Sequence, residues 1–142
     1  MEPAEAEKEY LWEHFKFNAD QRLKAFNFFV VFSVFADGGA FAAIDKKTHA
    51  AALVLIGAFI CLLSVTFYLI DRRSQNLLRL SVPGLKALEQ RFPPHSRLFT
   101  RAEAPAPKVV RYTVAFNILF GAEFIFGLGI FFYGIKWLWT GH

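Results

Sequence analysis

Two carboxylates stand where a carboxylate is costly. Asp37 and Glu123 lie inside long runs almost free of other charge, and an acid in such a place has three uses: a protonated hydrogen-bond donor that joins helices, a ligand for a cation, or a group facing water along an ion path. Asn117 lies six residues before Glu123 and offers an amide to the same tasks. If each run crosses a bilayer, Asp37 is the thirteenth residue of its run and Glu123 the twelfth of its own. Both carboxyls then sit near mid-membrane, with no basic residue inside any run to pair with them. Burying an ionised carboxylate there costs at least about 2.5 kcal/mol. Each acid is therefore expected to be protonated, bonded across helices, or in contact with water. The bland use is gluing helices, through Ser33, Asn117 or a backbone carbonyl; the functional use is a water path.

A second constellation lies at the edge of the runs. Arg22 and Gln21 come one turn before the first run and Asp71 directly follows the second. An antiparallel hairpin brings them to one depth, so an Arg22–Asp71 ion pair is expected. Its plain role is to fix the register of the hairpin, and a gating role is the alternative.

Nothing else carries chemistry at diagnostic spacing. An enzyme needs a nucleophile with its base, a set of metal ligands or a phosphate loop, and none is present. His14, His49, His95 and His142 are scattered, and the single Cys61 excludes an intrachain disulfide. Arg91 and His95 are separated by three residues, where the arginine–histidine motif of a class of ribonucleases has four. No enzyme activity, metal or cofactor is expected.

The elements that position these residues follow from composition. Hydrophobic residues make up 55% of the 142, aromatic residues 18%, and there are 18 phenylalanines, against about 45–50% apolar residues in an ordinary soluble domain. The 16 Lys and Arg and 12 Asp and Glu cluster between the apolar runs. Residues 25–44 give twenty positions between Lys24 and Asp45, enough at about 1.5 Å per residue to cross a hydrocarbon core of about 30 Å. Residues 50–70 carry no charge and stop at Asp71, Arg72 and Arg73. Residues 112–135 are bounded by Arg111 and Lys136 and followed by Trp137 and Trp139, whose rings suit a membrane interface. No signal peptide is expected ahead of them. With the N-terminus in the cytoplasm, that side holds thirteen Lys and Arg and the far side only Lys46, Lys47 and Lys136. The positive-inside rule thus puts the C-terminus outside and the short link after Asp45 outside as well.

Residues 4–25 place Trp12, Phe15, Ala19, Leu23 and Phe26 three or four apart, the stripe of an amphipathic helix. Such a helix lies in the headgroup layer or on its own protein, or else binds a partner. Residues 71–92 repeat Leu77, Leu78, Leu85, Leu88 and Phe92 at helical spacing, and Pro83 with Gly84 is expected to kink or break that helix. Residues 93–108, with four prolines, read as a loop. Between Asp71 and Tyr112 nine basic residues meet three acidic ones. Anionic lipid headgroups explain that surplus most simply, and a cytoplasmic protein or nucleic acid is the other candidate partner. The expected fold is all-α: one membrane domain over 1–142 with three transmembrane helices, an N-terminal amphipathic helix and a cytoplasmic extension of the second span.

Small residues at four-residue spacing, Ala36 with Ala40, Gly38 with Ala42 and Gly39 with Ala43, favour close helix contacts beyond what one protomer can supply. Gly121, Gly127, Gly129 and Gly134 leave the third span free to pack or to face lipid. Three helices enclose no channel, so any pore needs an oligomer.

Trp12, His14 and Phe15, then Asn18 to Arg22, then Phe26 to Phe29, followed by Asp71, Arg72, Leu78, Leu88 and Glu89, resemble small bacterial membrane proteins of the RipA-like type, a group similar to the membrane accessory protein of type VI CRISPR systems. The resemblance covers residues 10–92 and leaves out Glu123. It implies a ring-shaped homo-oligomer, such as an octamer, in the bacterial inner membrane, with a central pore and a role in antiviral or stress defence. Gln21, Arg22, Asn27, Asp71, Arg72 and Glu89 would be its structural positions at the cytoplasmic base. A homo-oligomeric pore or permeability effector is the leading expectation. A non-conducting membrane anchor or scaffold comes second, and a proton-coupled exporter using Asp37 or Glu123 third.

Overall fold

Two helices are far longer than a membrane is thick. The computed structural model describes residues 3–46, 49–102 and 112–140. In chain order these form α1 (Pro3–Asp45), α2 (Ala50–Glu89), a 3-10 turn (Pro94–Ser96), α3 (Leu98–Ala102) and α4 (Tyr112–Thr140), with no strand among the described residues. The 43 residues of α1 and 40 of α2 extend about 65 and 60 Å at 1.5 Å per residue. About 30 Å of each suffices for the hydrocarbon core. Three helices, α1, α2 and α4, are long and apolar enough to cross a membrane. The amphipathic helix and first span of the sequence reading are thus one helix, and so are the second span and its extension.

Pro83 does not end α2, which runs on to Glu89. The proline ring removes one backbone donor and crowds the preceding turn, but Pro83 is exposed, so carbonyls freed on that face reach solvent. Gly84 contributes differently from the expected break: a Cβ there would lie 2.7 Å from Cδ1 of Leu11, so the glycine admits α1 to close contact. The loop expected over 93–108 also needs correction in its first part, where the 3-10 turn and α3 form. Pro105, Pro107, Lys108 and Arg111 lie outside the described residues, as do Lys47 and Thr48 of the link after Asp45.

The chain divides into two compact units. The first combines Met1–Lys24 with Asp71–Val110. Here α1 and α2 run antiparallel, since Arg22 meets Asp71, His14 meets Ser81 and Leu11 meets Gly84. In this unit α1 buries Asn18, 6% exposed, with His14, Arg22, Phe15 and Ala19 half-buried around it, whereas Trp12 is 47% and Leu23 56% exposed. Across from it α2 buries Asp71, Ser74, Gln75, Ser81, Leu85 and Glu89. Phe15 packs edge-on against Phe99 of α3 at 5.1 Å between ring centroids.

The second unit combines Ala25–Ile70 with Arg111–His142. Its α2 and α4 approach backbone to backbone because three glycines allow it. A Cβ on Gly57 would lie 2.7 Å from Cα of Phe131, one on Gly127 2.9 Å from Sγ of Cys61, and one on Gly134 2.8 Å from the Val54 nitrogen. Without a hydrophobic drive between helices in lipid, such close contact supplies the dispersion energy of association. Gly38, Gly39, Gly121 and Gly129 meet nothing. Two apolar clusters result. Ala40, Ala43, Leu53, Ile60 and Ile130 form one, and Phe29, Leu63 and Phe120 form the other.

Candidate functional site

Between those two clusters α1 and α4 each carry an acidic residue, whereas the polar residue of α2 falls within the second cluster's stretch. Along α1 the order is Phe29, Ser33, Asp37, Ala40; along α4 it is Phe120, Glu123, Ile130; along α2 Ser64 adjoins Leu63. Asp37 and Glu123, for which the sequence offered no basic partner, approach one another, and the Ser33 hydroxyl lies close to Glu123. The approach does not complete their hydrogen bonding. Asp37 Oδ1, Glu123 Oε1 and Ser33 Oγ are buried without a bonded partner in the chain. Apolar layers on both sides raise the cost of that arrangement, because an unmade bond is dearest where no water can replace it.

Asn117 does not join this layer. Six residues advance an α-helix by roughly 240° beyond one full turn, so Asn117 and Glu123 look in different directions. Asn117 instead lines an open groove of ≈ 230 Å³ between α2 and α4, together with Ser64, Val65, Tyr68, Phe120 and Phe124. Ser64 Oγ and Asn117 Oδ1 are likewise buried without partners.

In the first unit the expected ion pair is present, with Nε of Arg22 2.5 Å from Oδ1 of Asp71. Gln21 was expected only at the same depth as this pair. Gln21 is exposed, and the amide that bonds the pair is that of Gln75, which donates to Asp71 Oδ2 at 2.5 Å. A spacing of four residues after Asp71 puts Gln75 on the same face of α2, a signal present in the sequence. Asn27 and Arg72 are exposed as well.

Glu89 is buried and has a defined task. Its Oε1 accepts from the Phe99 N–H at 2.8 Å, and its Oε2 accepts from the N–H and the hydroxyl of Thr100 at 3.0 and 3.1 Å. The carboxylate thereby satisfies amides at the start of α3 that have no partner within the helix. Desolvation pushes the Glu89 carboxyl up, but these bonds together outweigh it and hold it below the ordinary value of 4.5. His14 and Asn18 were not foreseen as a pair. Asn18 Nδ2 donates to the His14 carbonyl at 2.7 Å and approaches its Nε2 at 3.3 Å, while His14 Nδ1 lies 2.5 Å from the Ser81 hydroxyl. With Nε2 accepting, Nδ1 carries the proton and donates to Ser81.

A model of the octameric membrane protein family matches residues 6–137. The chain belongs to that family. The octameric membrane protein match reaches through α4 and Glu123, where the resemblance seen in the sequence stopped at residue 92. Among curated proteins, CD-NTase-associated protein 19 of Escherichia coli is 26% identical over 85 residues, 59% of this chain and 56% of the relative. The match therefore spans little more than half of that relative's length. Neither match carries the RipA-like or type VI CRISPR name. No solved structure matches significantly.

Proposed function

We propose that the chain is a non-enzymatic, homo-oligomeric protein of the bacterial inner membrane that forms a pore or permeability effector in antiviral or stress defence. The observation that carries this reading is the Asp37–Glu123 layer. Each protomer brings two carboxyls together between apolar layers and leaves an oxygen of each without a protein partner. In a single protomer that arrangement is only a cost. Repeated around the axis of a ring it becomes a band of acidic groups, the physical basis of cation preference in pores. Membership of a family described as octameric supports assembly, and the name of the Escherichia coli relative, which associates it with a CD-NTase, suits an effector acting beside another protein. The excess of Lys and Arg in the first unit supports a cytoplasmic side for that unit.

The test measures particle mass in nanodiscs and conductance in planar bilayers. A ring whose cation current is lost in the Asp37→Asn, Glu123→Gln double variant supports the proposal, and unchanged current in that variant sinks it. The second reading is a non-conducting anchor that only localises the first unit. Its supporting feature is a groove there lined by Trp12, Leu85, Leu88 and Phe92 beside Lys8, a surface for a cytoplasmic partner. A ring that never conducts, yet needs this groove for activity in cells, favours the anchor.

A further inference from the structure

We infer that the groove between α2 and α4 receives the outer face of α1 from a neighbouring copy, with Asn27 of that copy bonding to Ser64 and Asn117. The inference rests on the assembly part of the proposed function and is independent of conduction.

Three observations lead to it. The groove is apolar except for Ser64 and Asn117, whose Oγ and Oδ1 are buried without partners. Ser64 is 1% exposed, so its hydroxyl is withdrawn from everything except what enters the groove. A lipid chain fills apolar space but offers neither oxygen a donor, so the groove calls for an occupant with a polar tip on an apolar body.

The outer face of α1 has that composition. Asn27 is an exposed amide inside the first apolar run, with two donors and one acceptor. Phe28 and Phe32 stack beside it at 6.4 Å and are 59% and 46% exposed, and Val31 is 50% exposed. No residue of α1 lines the groove. The two surfaces are therefore separate patches of one protomer, which is what a head-to-tail contact closing into a ring requires.

Depth supplies the third argument. Rotation about an axis normal to the membrane leaves every atom at its own depth. Phe26 stacks on Phe116 with ring centroids 3.8 Å apart, and Asn27 and Asn117 are the next residues on their helices. They lie at nearly the same level in one protomer and hence in its neighbour. Cyclic symmetry then carries the Asn27 amide past the mouth of the adjacent groove at the height of its unpartnered oxygens.

Disulfide trapping in native membranes tests the contact. In a Cys61→Ala background, Asn27→Cys is combined with Asn117→Cys and oxidised with copper phenanthroline; bridging needs α-carbons within about 7 Å. The expected result is a ladder of covalent species rising to the subunit number of the ring, with no ladder from either single variant or from Asn27→Cys combined with Gly129→Cys. Phe28→Cys with Gly121→Cys probes the same contact and gives the same ladder if the first pair fails to fold. The mass of the cysteine-free parent is measured alongside. A parent that forms a ring while neither pair gives a ladder overturns this interface and leaves the pore reading standing. Labelling of the groove by a photoreactive fatty acid in such a ring assigns it to lipid and also overturns the inference. A monomeric parent overturns both.

Discussion

Arg22 and Asp71, 49 residues apart in sequence, form a two-point contact in which Nε lies 2.5 Å from Oδ1 and the terminal nitrogen 3.4 Å from Oδ2. Their side chains are only 16% and 5% exposed. Removing one partner of a buried pair leaves an uncompensated charge, at a cost of about 3–5 kcal/mol. Arg22→Ala should destabilise the protein by about that amount, read from the midpoint of detergent- or denaturant-induced unfolding by circular dichroism. Arg22→Met with Asp71→Leu removes both charges and should recover most of the loss. A double variant as unstable as Arg22→Ala would show that Gln75, not the ion pair, carries the effect.

Gly57 and Gly129 offer a matched comparison on the packed and open sides of the second unit. A methyl on Gly57 would strike the backbone of Phe131, whereas one on Gly129 meets nothing. Gly57→Ala should lower the thermal midpoint, since overpacking typically costs about 1–3 kcal/mol. Gly129→Ala should leave it unchanged or raise it through the better helix propensity of alanine, about 1 kcal/mol at most. Thermal unfolding of the two variants in the same detergent reads the difference.

Glu89 makes the start of α3 sensitive to acid. Its carboxyl is held below the ordinary value of 4.5, so the stability it contributes is present above that value. It is lost as the pH falls through the lower folded value. Hydrogen exchange at the Phe99 and Thr100 amides should be slow near neutrality relative to intrinsic rates and lose protection as the pH drops below about 4.5. In Glu89→Gln the protection should be weaker at neutral pH and nearly independent of pH across that window.

Ser81→Ala tests the polar seam between α1 and α2. The serine is 2% exposed, and its loss strands Nδ1 of His14. The expected cost is about 1–3 kcal/mol, measured by unfolding. His14→Leu combined with Ser81→Ala removes both polar groups and should be closer to wild type than Ser81→Ala alone.

How much of this was legible depends on which force sets each feature. The length of each apolar run was readable because the bilayer fixes how many residues a span needs. The Arg22–Asp71 pair was readable because two charges bracket a hairpin at equal depth. The stripe of Trp12, Phe15, Ala19, Leu23 and Phe26 gave the helix but not the packing at its polar face, because Trp12 and Leu23 stay exposed. Here α1 sets His14, Asn18 and Arg22 against a polar face of α2, and complementary hydrogen bonds are invisible to a hydrophobic pattern. Of the kink or break expected at Pro83, the break does not occur, because whether a proline ends a helix depends on what surrounds the carbonyls it frees.

The sequence by itself determined that this is an all-α chain with three helices long and apolar enough to cross a membrane, and that two acids, Asp37 and Glu123, lie inside its apolar runs. Those properties depend on residue type and position along an axis. Only the tertiary structure decided which faces meet: that Asp37 turns to Glu123, that Asn117 turns away to a groove with Ser64, and that Gly57, Gly127 and Gly134 pack while Gly38, Gly39, Gly121 and Gly129 stay open. Rotation of each helix about its own axis is set by the sum of many small packing contacts. No single run of residues encodes that sum.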